Sequence, residues 1–237
     1  MSHELAQTLP IPLISKDDYE RITSQWITQL NQDDGNSKLD KFFFKDGSKL
    51  TAVRFDLDTI LYLVSSEGTT TIKARFCIQD GDDDERLFNV VLYGVDANGI
   101  TTSAYFLGTP YSPDLETPGL PQCQIPSSLG NIWIQNWVDN DVFVAKERFK
   151  TIYGYLQGYN FELSDFIDSA FSADYVGLSV TLALHELFRP YETDPYAPTF
   201  TFNLVLQGLI KEDGDGTSEK VADADGLYDI SAPSPPY

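Results

Sequence analysis

Hydrophobic residues recur along this chain with two different periods, and the switches between them lay out its elements. Tyr19, Ile22, Trp26 and Leu30 are spaced three, four and four apart, the apolar stripe of an amphipathic helix. Ser15 precedes the stripe as an N-cap, with Asp17 and Asp18 in the first turn, where a helix dipole favours anions. Asp56 or Asp58 can cap a short helix through Ile60, Leu61 and Val64, which Gly68 stops. From Thr71 to Gln79 the period drops to two. Ile72, Ala74, Phe76 and Ile78 fall on one face, Thr71, Lys73, Arg75 and Cys77 on the other, the pattern of a half-buried strand. The strand over 87–95 runs into Asp96-Ala97-Asn98-Gly99, a hairpin signal, and 100–107 continues the meander.

The pattern then repeats. Phe88-Asn89-Val90-Val91-Leu92-Tyr93-Gly94-Val95 returns as Phe202-Asn203-Leu204-Val205-Leu206-Gln207-Gly208-Leu209, with five of eight positions identical. At an offset of 106, Phe55-Asp56-Leu57 corresponds to Phe161-Glu162-Leu163, and Ile72, Ala74, Phe76 and Ile78 fall on Leu178, Val180, Leu182 and Leu184. At an offset of 130, Lys16, Asp17, Tyr19, Ile22 and Trp26 fall on Lys146, Glu147, Phe149, Ile152 and Leu156, which predicts a second long helix there. Self-similarity of this kind sets architecture before local pattern does. The expected fold is α+β, with internally duplicated helix-helix-strand-strand units sharing one core around antiparallel sheet. One globular domain is expected over 1–211, with repeats at about 15–107 and 144–210.

The expected connection, 108–130, carries Pro110, Pro113, Pro118, Pro121 and Pro126. Asn131–Val144, with Trp133 and Trp137, is expected to be a helix packed on the sheet. Residues 212–237 are acidic, with late prolines, and read as a mobile tail. Loops that differ between the units are where function is grafted. The first unit has about 24 additional residues between its long helix and Phe55, including Phe42-Phe43-Phe44, read as a buried strand, and an Asp46-Gly47 turn. Asp80-Gly81-Asp82-Asp83-Asp84-Glu85 is densely acidic, and its longer counterpart over 189–198 mixes prolines with tyrosines.

A net charge of −20 repels phosphate backbones and anionic membranes, so a nucleic-acid partner is not expected and a basic protein is. No apolar run reaches membrane-spanning length, so no membrane insertion is expected. Met1-Ser2-His3-Glu4-Leu5 lacks the features of a secretory signal, and a cytoplasmic location is expected. Cys77 and Cys123 are too few for a disulfide framework.

Candidate chemistry is sparse. Asp80, Asp82 and Asp84 have the opening spacing of an EF-hand loop, but Glu85 stands where glycine is needed and Val91 where the bidentate glutamate belongs. They remain candidates for an irregular cation site. His185-Glu186 lacks a second histidine four residues on, where Arg189 stands, and it aligns with a strand rather than a helix. Ser179 lies inside a strand without the glycines of a nucleophile elbow. Val90-Val91-Leu92-Tyr93-Gly94-Val95-Asp96-Ala97-Asn98-Gly99, followed by Pro121-Gln122-Cys123, resembles uncharacterised bacterial proteins of the Bacteroidetes group, over about a third of the chain. That resemblance implies no known activity.

The functional expectation is a non-enzymatic binding or assembly module without a cofactor. It would contact a basic protein through Asp82, Asp83, Asp84 and Glu85 on one side and Tyr191, Glu192 and Tyr196 on the other. Two rivals are a small-molecule or cation-binding protein with a cleft between the repeats, and a hydrolase using acids alone. A cleft would favour the first. Two facing carboxylates with raised pKa would favour the second.

Overall fold

In the computed structural model, residues 12–32, 39–81, 85–112, 127–140, 148–151, 154–170, 175–187, 199–211, 219–221 and 232–233 are described. A short strand β1 (Leu13–Ile14) leads into helix α1 (Lys16–Gln32). Ser15 caps it as the sequence suggests, its Oγ accepting from the Asp18 N–H at 3.1 Å and donating to the Asp18 carboxylate at 2.7 Å. Ile22, Trp26 and Leu30 form its buried stripe.

A 3-10 turn (Asp40–Phe43) and a small hairpin, β2 (Phe44–Lys45) with β3 (Ser48–Lys49), come next. Phe42 and Phe43 are buried, but in the turn rather than in the expected strand. Strand β4 (Ala52–Asp56) then feeds directly into α2 (Leu57–Val64). Asp56 sits at the N-cap position without a side-chain cap, because Arg54 takes its carboxylate at 2.7 Å. The expected units lacked this leading strand.

Strands β5 (Thr71–Asp80) and β6 (Arg86–Val95) form a ten-residue antiparallel ladder, continued by β7 (Tyr105–Leu107). The Asp96 carboxylate closes the turn after β6 by accepting from the backbone of Asn98 and Ile100 at 2.9 and 2.8 Å. Strand β8 (Thr109–Tyr111) corrects the reading of 108–130 as irregular throughout. Its Pro110 is tolerated because β8 is an edge strand, where a missing N–H is not needed.

Helix α3 (Ser127–Asp139) follows, then β9 (Lys150–Thr151), β10 (Gly154–Tyr155), β11 (Gly158–Glu162) and α4 (Leu163–Ala170). The long hairpin β12 (Tyr175–Leu187) and β13 (Thr199–Lys211) precedes two short strands, β14 (Glu219–Val221) and β15 (Ala232–Pro233).

Two expectations change here. The long helix expected over 146–156 is not there: β9 and β10 form a hairpin in that stretch, and α3 ends upstream of it. Gly154, at φ 123°, holds a backbone conformation foreign to a helix, whatever the spacing of its apolar neighbours. A two-stranded hairpin follows each of these helices, β2–β3 after α1 and β9–β10 after α3. The described pieces of the tail are strands rather than mobile chain: β14 pairs with β13 and β15 with β11.

All named strand pairs are antiparallel, in two large sheets ordered β1-β7-β6-β5-β11-β15 and β14-β13-β12-β4-β8. Each sheet borrows from the far end of the chain: β11 lies beside β5, and β4 beside β12. Their inner faces meet in one apolar core, where Phe76 and Phe88 approach Phe202 at ring-centroid distances of 5.3 and 5.9 Å. The outer face of the first sheet is covered by α1, with Ile22 on Cys77 and Val91. The outer face of the second is covered by α3, with Trp133 and Ile134 on Ala183 and Val205. Among the described residues no helix is long and apolar enough to cross a membrane.

Candidate functional site

Most of the sequence-predicted site residues lie outside the described residues: Asp82, Asp83, Asp84, Tyr191, Glu192 and Tyr196. Two can be located. Glu85 is exposed, and its carbonyl accepts from the Gly81 N–H at 2.6 Å, closing the β5–β6 loop. Asp80 stands at the end of β5 between two arginines, 2.5 Å from Arg21 and 3.6 Å from Arg86. Guanidinium groups therefore already neutralise the one acid of the cation candidate that is described. Among the described residues, no group of three or more His, Cys, Asp or Glu side chains is arranged to hold a metal ion.

Cys77 and His185, which a thiol nucleophile and its base would need side by side, lie in different sheets. Cys77 is buried on the outer face of the first sheet, and burial raises its thiol pKa far above the ordinary value. His185 is in β12 of the second sheet, its ring 4.3 Å from that of Trp133. Ser179 is buried in a chain of neutral hydrogen bonds: Tyr111 donates to it at 3.0 Å, and Thr181, 3.0 Å from it, donates to Gln207 at 2.5 Å. Two exposed carboxylates have their pKa lowered, Asp18 through the Ser15 hydroxyl and Asp96 through the Ile100 backbone.

A different site emerges from the outward positions of β5. Strand alternation turns Lys73, Arg75 and Cys77 away from the core, and α1 runs over Arg75 and Cys77 instead of leaving them to solvent. Arg75 is only 8% exposed. One terminal nitrogen donates to the Asn160 side-chain oxygen at 3.2 Å and to the Tyr159 carbonyl at 3.3 Å. The same nitrogen lies 3.5 Å from the Ala74 carbonyl oxygen. Those partners are all neutral. Among the described residues no carboxylate stands within ion-pair distance of Arg75 or Lys73. Burial accordingly lowers the pKa of Arg75, and burial and then Arg75 lower that of Lys73.

Three tyrosines cluster on the same outer face, beside Arg75. Tyr19 stacks on Tyr105 at 4.3 Å and meets Tyr93 edge-on at 5.4 Å, donating its hydroxyl to that of Tyr93 at 3.2 Å. Burial and then Tyr93 raise the Tyr19 phenol pKa, so it stays a neutral donor. Next to this cluster is a pocket of about 220 Å³. Tyr19, Glu20, Thr23 and Ile27 of α1 form its helix wall, Arg75 and Phe76 its floor, and Gln157, at the start of β11, closes it.

The sequence carried a faint sign of this. Two cations alternating with apolar residues on a strand read as a solvated face, yet Cys77 shares that face, and a thiol is rarely left to water. Comparison with family models finds no match for the chain, and comparison with curated proteins and with solved structures finds none either.

Proposed function

We propose that the protein is a non-enzymatic binding module built from two related units, and that it takes up a small ligand in the pocket under α1, where the units meet. The observation that carries this reading is the lining of the pocket. Helix α1 and β5 come from the first part of the chain, whereas Gln157 comes from the second.

Relatedness of the units is supported by contacts that recur 106 positions apart. The Leu50 N–H donates to the Phe43 carbonyl at 2.8 Å, and the Leu156 N–H to that of Phe149 at 2.6 Å. The Phe76 N–H donates to Gln157 at 2.9 Å, and the Leu182 N–H to Thr51 at 2.8 Å. The register Ala52↔Thr181 is matched by Gly158↔Arg75. The Phe76–Gln157 and Leu182–Thr51 bonds cross between the units in both directions, so each unit supplies the strand that completes the other's sheet. Such a seam is where pockets preferentially form. It favours the cleft reading over contact through the acidic and tyrosine-bearing loops.

A thermal-shift screen of the full chain tests this, using small carboxylates, phosphates, amines, neutral metabolites and calcium. At least one class should raise Tm with increasing concentration, by about 2–4 °C per kcal/mol of linkage for a domain of this size. Thr23→Phe, which fills the pocket from the helix side, should abolish the shift. A screen without hits, or a shift that survives Thr23→Phe, would contradict the proposal.

A further inference from the structure

We infer that this pocket recognises a small organic monocarboxylate, its carboxylate on the Arg75 guanidinium and its apolar body against Ile27 and Phe76. The inference rests on the binding-module reading and names the class of ligand that the same pocket would take.

Two independent observations carry it. The first is the state of Arg75. A guanidinium nine-tenths removed from water with only neutral partners is unfavourable by itself, and an arriving anion supplies the missing charge. One terminal nitrogen is engaged by Asn160 and Tyr159, which leaves the rest of a rigid fork of donors suited to a planar carboxylate. The second is what occupies the equivalent place in the other sheet. At an offset of 106, Lys73 corresponds to Ser179 and Arg75 to Thr181. There the outward face is closed by Tyr111, Ser179, Thr181 and Gln207 in a neutral chain. Covering such a strand therefore does not require a buried cation. The charge belongs to one half alone, and the pocket lies beside it.

The surroundings choose among anions. Glu20 is on the pocket wall, and the chain carries a net charge of −20. Both oppose a dianion about twice as strongly as a monoanion, because the repulsion scales with ligand charge. A pocket of about 220 Å³ with Ile27 and Phe76 in its lining suits a compact body with an apolar side. Phosphate satisfies neither condition.

The test titrates the full chain with benzoate, benzamide and inorganic phosphate, following Trp26 fluorescence and Tm. Benzoate should bind at least ~10-fold more tightly than benzamide or phosphate. Arg75→Met should abolish benzoate binding. Since Arg75→Met removes a buried hydrogen-bonding group and can impair folding, Glu20→Gln on the exposed side of α1 serves as the second variant. It should tighten benzoate binding by about 2–5-fold by removing a like charge, more so at low salt. Benzamide binding as tightly as benzoate, phosphate binding more tightly, absence of benzoate binding, or Glu20→Gln weakening it would each overturn the inference. A neutral or cationic ligand displaced by Thr23→Phe would overturn it while leaving the pocket reading intact.

Discussion

Truncating Trp137 to alanine is expected to destabilise the protein by about 3–5 kcal/mol, and Trp26→Ala by a similar amount. Both rings are fully buried. Each also bridges the two parts of the chain through its indole N–H. Trp26 donates to the Leu156 carbonyl at 2.9 Å, and Trp137 to that of Leu50 at 2.8 Å. Each is set edge-on against a phenylalanine of the opposite part, Trp26 on Phe149 at 5.0 Å and Trp137 on Phe43 at 5.1 Å. Truncation thus removes a large apolar volume and orphans a buried carbonyl in the same step. The phenylalanine variants separate the two effects. They keep most of the ring and should lose about 1–3 kcal/mol, mainly for the unsatisfied carbonyl. Urea denaturation measures all four. A loss below about 1 kcal/mol at either alanine variant would contradict this account of the core.

The second large effect is expected at Gly158, where β11 docks against β5. A Cβ there would overlap the Ala74 carbonyl oxygen and come within 3.0 Å of the Arg75 Cα. Both obstacles are backbone, so relief requires parting the two strands. Gly158→Ala should lose about 3 kcal/mol or more, the range of severe overpacking. Because Gly158 is the register partner of Arg75, the variant should also weaken benzoate binding. Gly99→Ala is the control. Nothing lies within 4 Å of its added Cβ, and only its φ of 80° opposes the change, for about 1–2 kcal/mol. Thermal unfolding of both variants reads the difference, and equal losses would contradict the close approach of β11.

What the sequence made legible was local. The stripe Tyr19, Ile22, Trp26, Leu30 and the alternation from Ile72 to Ile78 each carry enough periodicity to name an element and its buried face. Asp96-Ala97-Asn98-Gly99 named its turn because aspartate bonds its own backbone. Helix α3 was placed only as a helix within Asn131–Val144, since Gly130, Asn131 and Asn136 interrupt its apolar face. The matching of Phe149, Ile152 and Leu156 to a helix failed because three apolar residues at such spacing also occur in a hairpin. Strands β4 and β11 are five residues each, too short for periodicity to mark, and the strands they join, β12 and β5, are far away in the sequence. The candidate site depends on the same long-range docking. Arg75 looks solvated until α1 is known to cover it, and Gln157 joins it only through β11.

The central claim is that the two halves complete each other's sheets and behave as one body with a pocket in the seam. Native-state hydrogen exchange at the amides of Phe76 and Leu182 tests it most directly, since these donate across the seam to Gln157 and Thr51. The account predicts that both exchange only by global unfolding, with the same free energy and the same denaturant dependence. Exchange of either amide through a separate, markedly lower-energy opening of its own sheet would contradict it.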